Sequence, residues 1–118
     1  MSSEYSAVEF AHCCDTLILV RAAPDSGDGP VALQATLESV NAGITTAVFL
    51  HGPGVDWALP AHAEGWNNPC RRSNLLLQVC QTAWQRRHGD QLPQRFQFSS
   101  LVQFWNQALH ARELISFG

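Results

Sequence analysis

The sequence is short of charge. Asp, Glu, Lys and Arg make up 14% of its 118 residues, well under the quarter usual for globular chains. Its net charge of −3 supplies no basic field, so no direct nucleic-acid ligand is expected. Long apolar runs are missing as well. None nears the ~20 residues of a membrane-spanning helix, so no membrane contact is expected. The opening stretch from Met1 to Ser6 has no basic segment leading into an apolar one. A secretory signal is therefore not expected, and a soluble cytoplasmic setting is. Cys-x-x-Cys pairs are absent, which argues against a zinc ribbon. The chain has four cysteines, Cys13, Cys14, Cys70 and Cys80. Two of them are adjacent and poorly placed to bridge each other, so the count does not read as a disulfide framework. The His12-Cys13-Cys14 cluster lacks a second pair of ligands, and no metal site is expected there. Internal repeats and low-complexity tracts are also absent.

Apolar residues are plentiful, at 46% of the chain, enough for the core of one domain of ordinary size. Residues 1–14 read as a polar leader and residues 15–118 as a single α/β domain. Residues 15–20 (DTLILV) form a branched apolar run of the kind found in strands buried on both faces. Two Pro, two Gly and two Asp within residues 21–30 mark a loop. A helix is expected next, with Pro30 in its first turn and Leu33, Leu37 and Val40 as its buried stripe. Asn41-Ala42-Gly43 provides its stop.

Residues 44–51 (ITTAVFLH) read as a second strand. Residues 52–72 read as a long loop rich in Gly, Pro, Asn and Trp, without periodicity and therefore functional or mobile. Residues 74–79 (NLLLQV) form a third strand, followed directly by Cys80. A short helix is expected over 81–88, stopped by Gly89, and a short strand over 95–98. Ser99 is the expected cap of a helix with an apolar face of Leu101, Phe104, Trp105 and Ala108. Residues 113–117 (ELISF) complete the set as a fifth strand. This alternation predicts a mostly parallel sheet of about five strands with helices on both faces.

That architecture sorts the cysteines. Ligand sites in open α/β sheets lie beyond the carboxyl ends of the strands. Cys13 and Cys14 precede the first strand and Cys70 precedes the third. Cys80 alone follows a strand and opens a helix, where free N–H groups and the helix dipole favour a thiolate. Cys80 is thus the candidate nucleophile. His51 ends the second strand at the same predicted edge and is a candidate assisting group. Gly52, Pro53 and Gly54 shape the turn after it, lack the Gly-Lys-Ser/Thr ending of a phosphate loop, and with Arg86 and Arg87 are the candidate binding residues. Arg86 and Arg87 add positive charge about 9–10 Å along the helix from Cys80. Cys80 and Arg86 share the Cys-x5-Arg spacing of tyrosine phosphatases. The residues between them contain no Gly and one bulky Trp, which reads as helix rather than a phosphate cradle. Few charges and four Trp point to an oligomer, with Trp84 or Trp105 as candidate anchors.

The segment Val79-Cys80-Gln81-Thr82-Ala83-Trp84-Gln85-Arg86-Arg87 resembles the active-cysteine segment of the DsrE/TusD sulfur-relay family, which follows the pattern V/I-C-x-x-A-x-x-R-R. Residues 48–55 (VFLHGPGV) are similar to the family's second strand and the loop leaving it. Residues 96–101 and 112–118 are similar to its C-terminal part. The resemblance covers roughly residues 15–118. It implies a three-layer, flavodoxin-like fold and a sulfurtransferase in which Cys80 accepts sulfane sulfur as a persulfide and passes it on, without a cofactor. It further implies a homo- or hetero-oligomer with DsrE/F/H-type sister subunits. The implied acceptor is a small protein with a C-terminal cysteine, in sulfur oxidation or tRNA thiolation. A non-catalytic subunit of such a complex is the alternative. The chain departs from the family pattern in a shorter 52–72 segment, which lacks an amphipathic helix, and in a shorter stretch from Arg87 to Arg95.

Overall fold

A computed structural model describes residues 14–118. The polar leader expected over 1–14 falls outside the described residues apart from Cys14, and so do His12 and Cys13. Among the described residues five strands form one sheet: β1 (Thr16–Val20), β2 (Thr46–Leu50), β3 (Leu75–Cys80), β4 (Gln97–Ser99) and β5 (Glu113–Phe117). Three α-helices connect them: α1 (Asp28–Asn41), α2 (Gln81–His88) and α3 (Leu101–His110). Every strand pairing is parallel and the order is β4-β3-β2-β1-β5.

The alternation of side chains along a strand divides the core in two. Ile18, Val20, Val48, Leu50, Leu77 and Val79 face one way and are buried against Ala32 of α1 and Trp84 of α2. Leu17, Ala47, Phe49 and Cys80 face the other way, where Phe104 of α3 covers them. A sheet buried on both faces needs apolar residues at consecutive positions, which is why DTLILV and TAVFL carry no polar alternation. The connections from β1 to β4 step along the sheet in one direction over the first face. The connection from β4 to β5 runs back the other way, so a right-handed crossover must lie on the second face, as α3 does. These are the three layers of the flavodoxin-like α/β fold expected from the sequence.

Local differences from the expectation have physical causes. The 52–72 segment is not an aperiodic loop but three 3-10 helices, Gly52–Ala58, Ala63–Trp66 and Pro69–Arg71. Their Val55, Trp57, Ala58 and Trp66 belong to the first core cluster. The Trp57 and Trp66 rings meet edge to face at 5.8 Å, and Trp66 meets Phe96 likewise at 5.1 Å. Short 3-10 turns have no sustained period, so the sequence shows only their turn residues. The buried stripe of α1 is Ala32, Thr36 and Val40. It lies one position to the side of the expected Leu33–Leu37 row, whose side chains are half-buried at its flank. Thr36 returns its hydroxyl to the Ala32 carbonyl at 2.9 Å, which lets a polar residue occupy that stripe. The α1 stop is as expected, with Gly43 at φ +80°.

At the other end, Ser100 rather than Ser99 caps α3, its hydroxyl accepting the Gln103 N–H at 3.2 Å. Ser99 instead closes β4, which begins two residues later than expected, and donates to Gln103 Oε1 at 2.6 Å. Two aromatic expectations diverge. Trp84 is fully buried and its indole N–H donates to the Gln91 carbonyl at 2.6 Å, so it is core and not an interface anchor. Trp105 is 59% exposed, and Leu101 is exposed with it. The face of α3 that meets the sheet is Phe104 and Gln107, with Ala108 at its edge.

Candidate functional site at the carboxyl edge

In a doubly wound sheet a crevice opens where two neighbouring strands send their chains to opposite faces. Here β3 leads into α2, whose Trp84 packs on the first face, while β4 leads into α3 on the second. The crevice therefore opens between the carboxyl ends of β3 and β4. Cys80 is the last residue of β3 and the N-cap of α2, one position earlier in the fold than a residue that merely follows the strand. It pairs in register with Ser99 of β4. On its other side Leu50 of β2 pairs with Val79. The backbone stays extended at His51 (φ −144°, ψ 157°), so the next register position sets His51 beside Cys80. Cys14 and Cys70 lie at the amino ends of β1 and β3, at the opposite edge from Cys80. Cys70 donates its thiol to the Asn67 carbonyl at 3.1 Å.

A cavity of about 430 Å³ occupies this crevice. It gathers Cys80, His51, Gly52, Pro53, Arg86 and Arg87 from the sequence-derived candidates. Thr82, Ala83, Ser100 and Leu101 complete its lining and were not among the candidate site residues, although Ala83 belongs to the cysteine segment and Leu101 to the apolar face of the last helix. Their signal was positional. Thr82, Ala83, Arg86 and Arg87 recur at helical spacing on one side of α2, and Ser100 opens α3 directly across from them. Gly54 is not part of the lining. A Cβ there would stand 2.1 Å from the Val20 carbonyl, so this glycine serves the close approach of the 3-10 turn to β1.

Cys80 is 3% exposed, and its thiol makes no hydrogen bond among the described residues. Its way to solvent is the cavity. His51 is half-buried, and its ring lies parallel to that of Phe49 with centroids 6.4 Å apart. Burial, and secondly the charge of Arg21, lower its pKa from the ordinary histidine value. At neutral pH the imidazole is therefore neutral and able to accept a proton. Arg21, directly after β1, carries no signal of its own in the sequence. Its guanidinium lies over the backbone of Gly52, where a Cβ would come within 3.6 Å of Arg21 Nε.

The two arginines of α2 differ. Arg87 forms a two-pronged pair with Asp56 of the first 3-10 helix, at 3.1 and 2.8 Å. His88 Nε2 donates to the same carboxylate at 2.7 Å. Desolvation works to raise the Asp56 pKa, but the hydrogen bonds and charges of Arg87 and His88 outweigh it and hold the carboxyl below its ordinary value. The hydrogen bond to Asp56 raises Arg87 in turn. Arg86 is exposed and makes no ion pair or hydrogen bond among the described residues. Residues 81–88 form a continuous helix, so the Cys-x5-Arg spacing builds no phosphate cradle here.

Between the sheet and α3, Gln78 of β3 and Gln107 of α3 exchange reciprocal amide hydrogen bonds at 3.0 and 2.9 Å. Both residues are buried. The pair fastens α3 to β3 two residues before Cys80, and sequence reasoning missed it because each glutamine alone reads as solvated.

No family model and no curated protein matches the chain in sequence. In structure the chain is similar to the crystal structure of the YchN protein from E. coli, with a TM-score of 0.70 and 18% sequence identity. The match covers 88% of this chain and 99% of that one. Similarity at that identity is a statement about fold: the flavodoxin-like layout is shared across nearly the whole of both chains. No described helix is long and apolar enough to cross a membrane.

Proposed function

We propose that this chain is a sulfur carrier of the DsrE/TusD type, a sulfurtransferase that holds sulfane sulfur as a persulfide on Cys80. One observation carries the reading: a buried thiol, without a hydrogen-bond partner among the described residues, lines a cavity at the fold's ligand-binding crevice. The fold shared with YchN supports it, and so does the resemblance of residues 79–87 to the family's cysteine segment. In the proposed step the Cys80 thiolate attacks the outer sulfur of a donor persulfide. A new S–S bond forms at Cys80, the donor's S–S bond breaks, and the donor leaves as a thiolate with the electron pair. The exchange is redox-neutral and needs no cofactor.

His51, neutral and beside Cys80, is suited to receive the thiol proton. The N–H groups at the start of α2 and the cations at the rim favour the anionic sulfur before and after transfer. Shielding from bulk water suits a carrier, since an exposed persulfide is lost to any passing thiol. The acceptor would be a partner protein's cysteine in a cytoplasmic relay serving sulfur oxidation or tRNA thiolation. Assembly with sister subunits belongs to the same proposal. Val102, Trp105 and Leu109 recur at i, i+3 and i+7 on the exposed side of α3, an apolar stripe that protein contact would cover.

The test is sulfur loading and discharge. The protein is incubated with a low-molecular-weight persulfide, freed of donor and weighed intact, then exposed to an acceptor thiol and weighed again. Wild type gains one sulfur and returns it, while Cys80→Ser, nearly isosteric, folds and gains none. A Cys80→Ser protein that loads and discharges like wild type would sink the proposal.

A further inference from the structure

We infer that the cavity over Cys80 selects sulfur compounds that carry an anionic group, a carboxylate or sulfonate, close to the reacting sulfur, and that Arg86 is the residue that selects them. The inference rests on the carrier reading for the identity of the reaction, but not for the charge of the cavity. The residues lining the cavity include His51, Arg86 and Arg87 and not one Asp or Glu. The adjacent arginines have been given different work. Arg87 has its charge matched by Asp56, which His88 also engages from outside the cavity lining. Arg86 lines the same cavity with its charge unmatched among the described residues.

Arg86 sits one helical turn beyond Thr82, on the side of α2 that faces the opening over Cys80. A ligand that enters the cavity to reach the nearly buried thiol shares it with this cation. Two hydroxyls, of Thr82 and Ser100, also line the route and are free to donate to the same anion. The Arg fork fits a planar carboxylate or a sulfonate in two-pronged fashion. Arg21 sits behind Gly52 and adds to the potential without lining the cavity. A cationic sulfur compound would meet an unmatched like charge with no acid to relieve it. In the transfer itself nothing is added to the balance: the donor persulfide of an anionic thiol gives its outer sulfur to Cys80 and departs as that thiol's thiolate, its anionic group still on Arg86.

The test uses two pairs of reagents on the full chain. The first pair is iodoacetate and iodoacetamide, close in size and differing in charge, with alkylation of each cysteine followed by peptide mass mapping. The ratio of iodoacetate to iodoacetamide rates at Cys80 is expected to exceed that at Cys70 by on the order of tenfold at low salt, equivalent to about 1.4 kcal/mol. It should fall as salt is added. Arg86→Gln, an exposed change, should bring the ratio to that of Cys70, and Arg86→Lys should retain most of it. The second pair is the persulfides of mercaptopropionate and mercaptoethanol, with loading read by intact mass and the same ordering expected. A Cys80 ratio no higher than that at Cys70, a ratio unmoved by Arg86→Gln, or a Cys80 that neither alkylating reagent reaches would each overturn the inference. If alkylation discriminates but neither persulfide loads, the carrier reading fails and the anion-selecting cavity stands. Equal loading from both persulfides with Cys80 as the carrier overturns the selection and leaves the carrier.

Discussion

The Gln78–Gln107 pair offers a sharp test of how the crevice is held. Each amide donates one hydrogen bond to the other and accepts one back, at 3.0 and 2.9 Å, with both residues about 3% exposed. Gln107→Met keeps the length and volume of the side chain but removes both hydrogen bonds at once. Gln78 is then left in the core with only a 3.5 Å approach to the Val48 carbonyl. An unsatisfied buried donor or acceptor costs about 1–3 kcal/mol. Two such groups on Gln78 set the expected loss at roughly 2–6 kcal/mol, a large part of the about 5–15 kcal/mol that holds an ordinary domain together. The double variant Gln78→Met/Gln107→Met removes all the polar groups together and should recover most of that loss. Chemical denaturation of wild type, both single variants and the double completes the cycle, with a coupling energy of at least about 1.5 kcal/mol expected. Single variants within about 0.5 kcal/mol of wild type, or losses that simply add in the double, would refute the reasoning.

Other consequences can be measured with the same assays. Gly54→Ala drives a Cβ to 2.1 Å from the Val20 carbonyl, whereas Gly27→Ala meets nothing within 4 Å. The first should lose more than about 3 kcal/mol in denaturation and the second less than about 1, and equal losses would contradict the packing described. Because the Asp56 pKa is lowered in the fold from 3.8, its stabilising contribution is complete above that value and disappears as pH falls below it. The stability deficit of Asp56→Asn should therefore be largest near neutral pH and shrink in acid, and a deficit independent of pH would remove Arg87 and His88 as the cause. Trp105→Glu should keep the thermal midpoint within a few degrees and shift the light-scattering mass toward that of one chain. An unchanged mass at micromolar concentration would place the assembly surface elsewhere.

The elements that the sequence made legible are those with a period or a punctuation mark. The DTLILV, TAVFL and LLLQVC runs became parallel strands because only a sheet covered on both faces tolerates continuous apolar residues. Gly43 and Gly89 closed helices where they stood. The rule that ligands gather beyond strand carboxyl ends places Cys80 and His51 at one edge from the sequence alone. What stayed hidden depended on contacts distant in sequence. Trp57 and Trp66 are core only because three 3-10 turns fold back over the first face. Trp84 read as a candidate anchor because a chain with few charges and four Trp suggested an apolar surface in need of a partner, whereas packing turns that one residue inward. The division of labour between Arg86 and Arg87 depends on Asp56, some thirty residues upstream, and adjacent arginines cannot reveal it.

The most direct test of the central claim is to locate the sulfur among the four cysteines. Wild type and the variants Cys80→Ser, Cys70→Ser, Cys14→Ser and Cys13→Ser are loaded from a mercaptopropionate persulfide, digested without reductant and mapped. The account predicts one persulfide, on Cys80, formed at the wild-type rate in the other three variants and absent in Cys80→Ser. A persulfide mapping to Cys70 in wild type, with loading retained by Cys80→Ser, would contradict it.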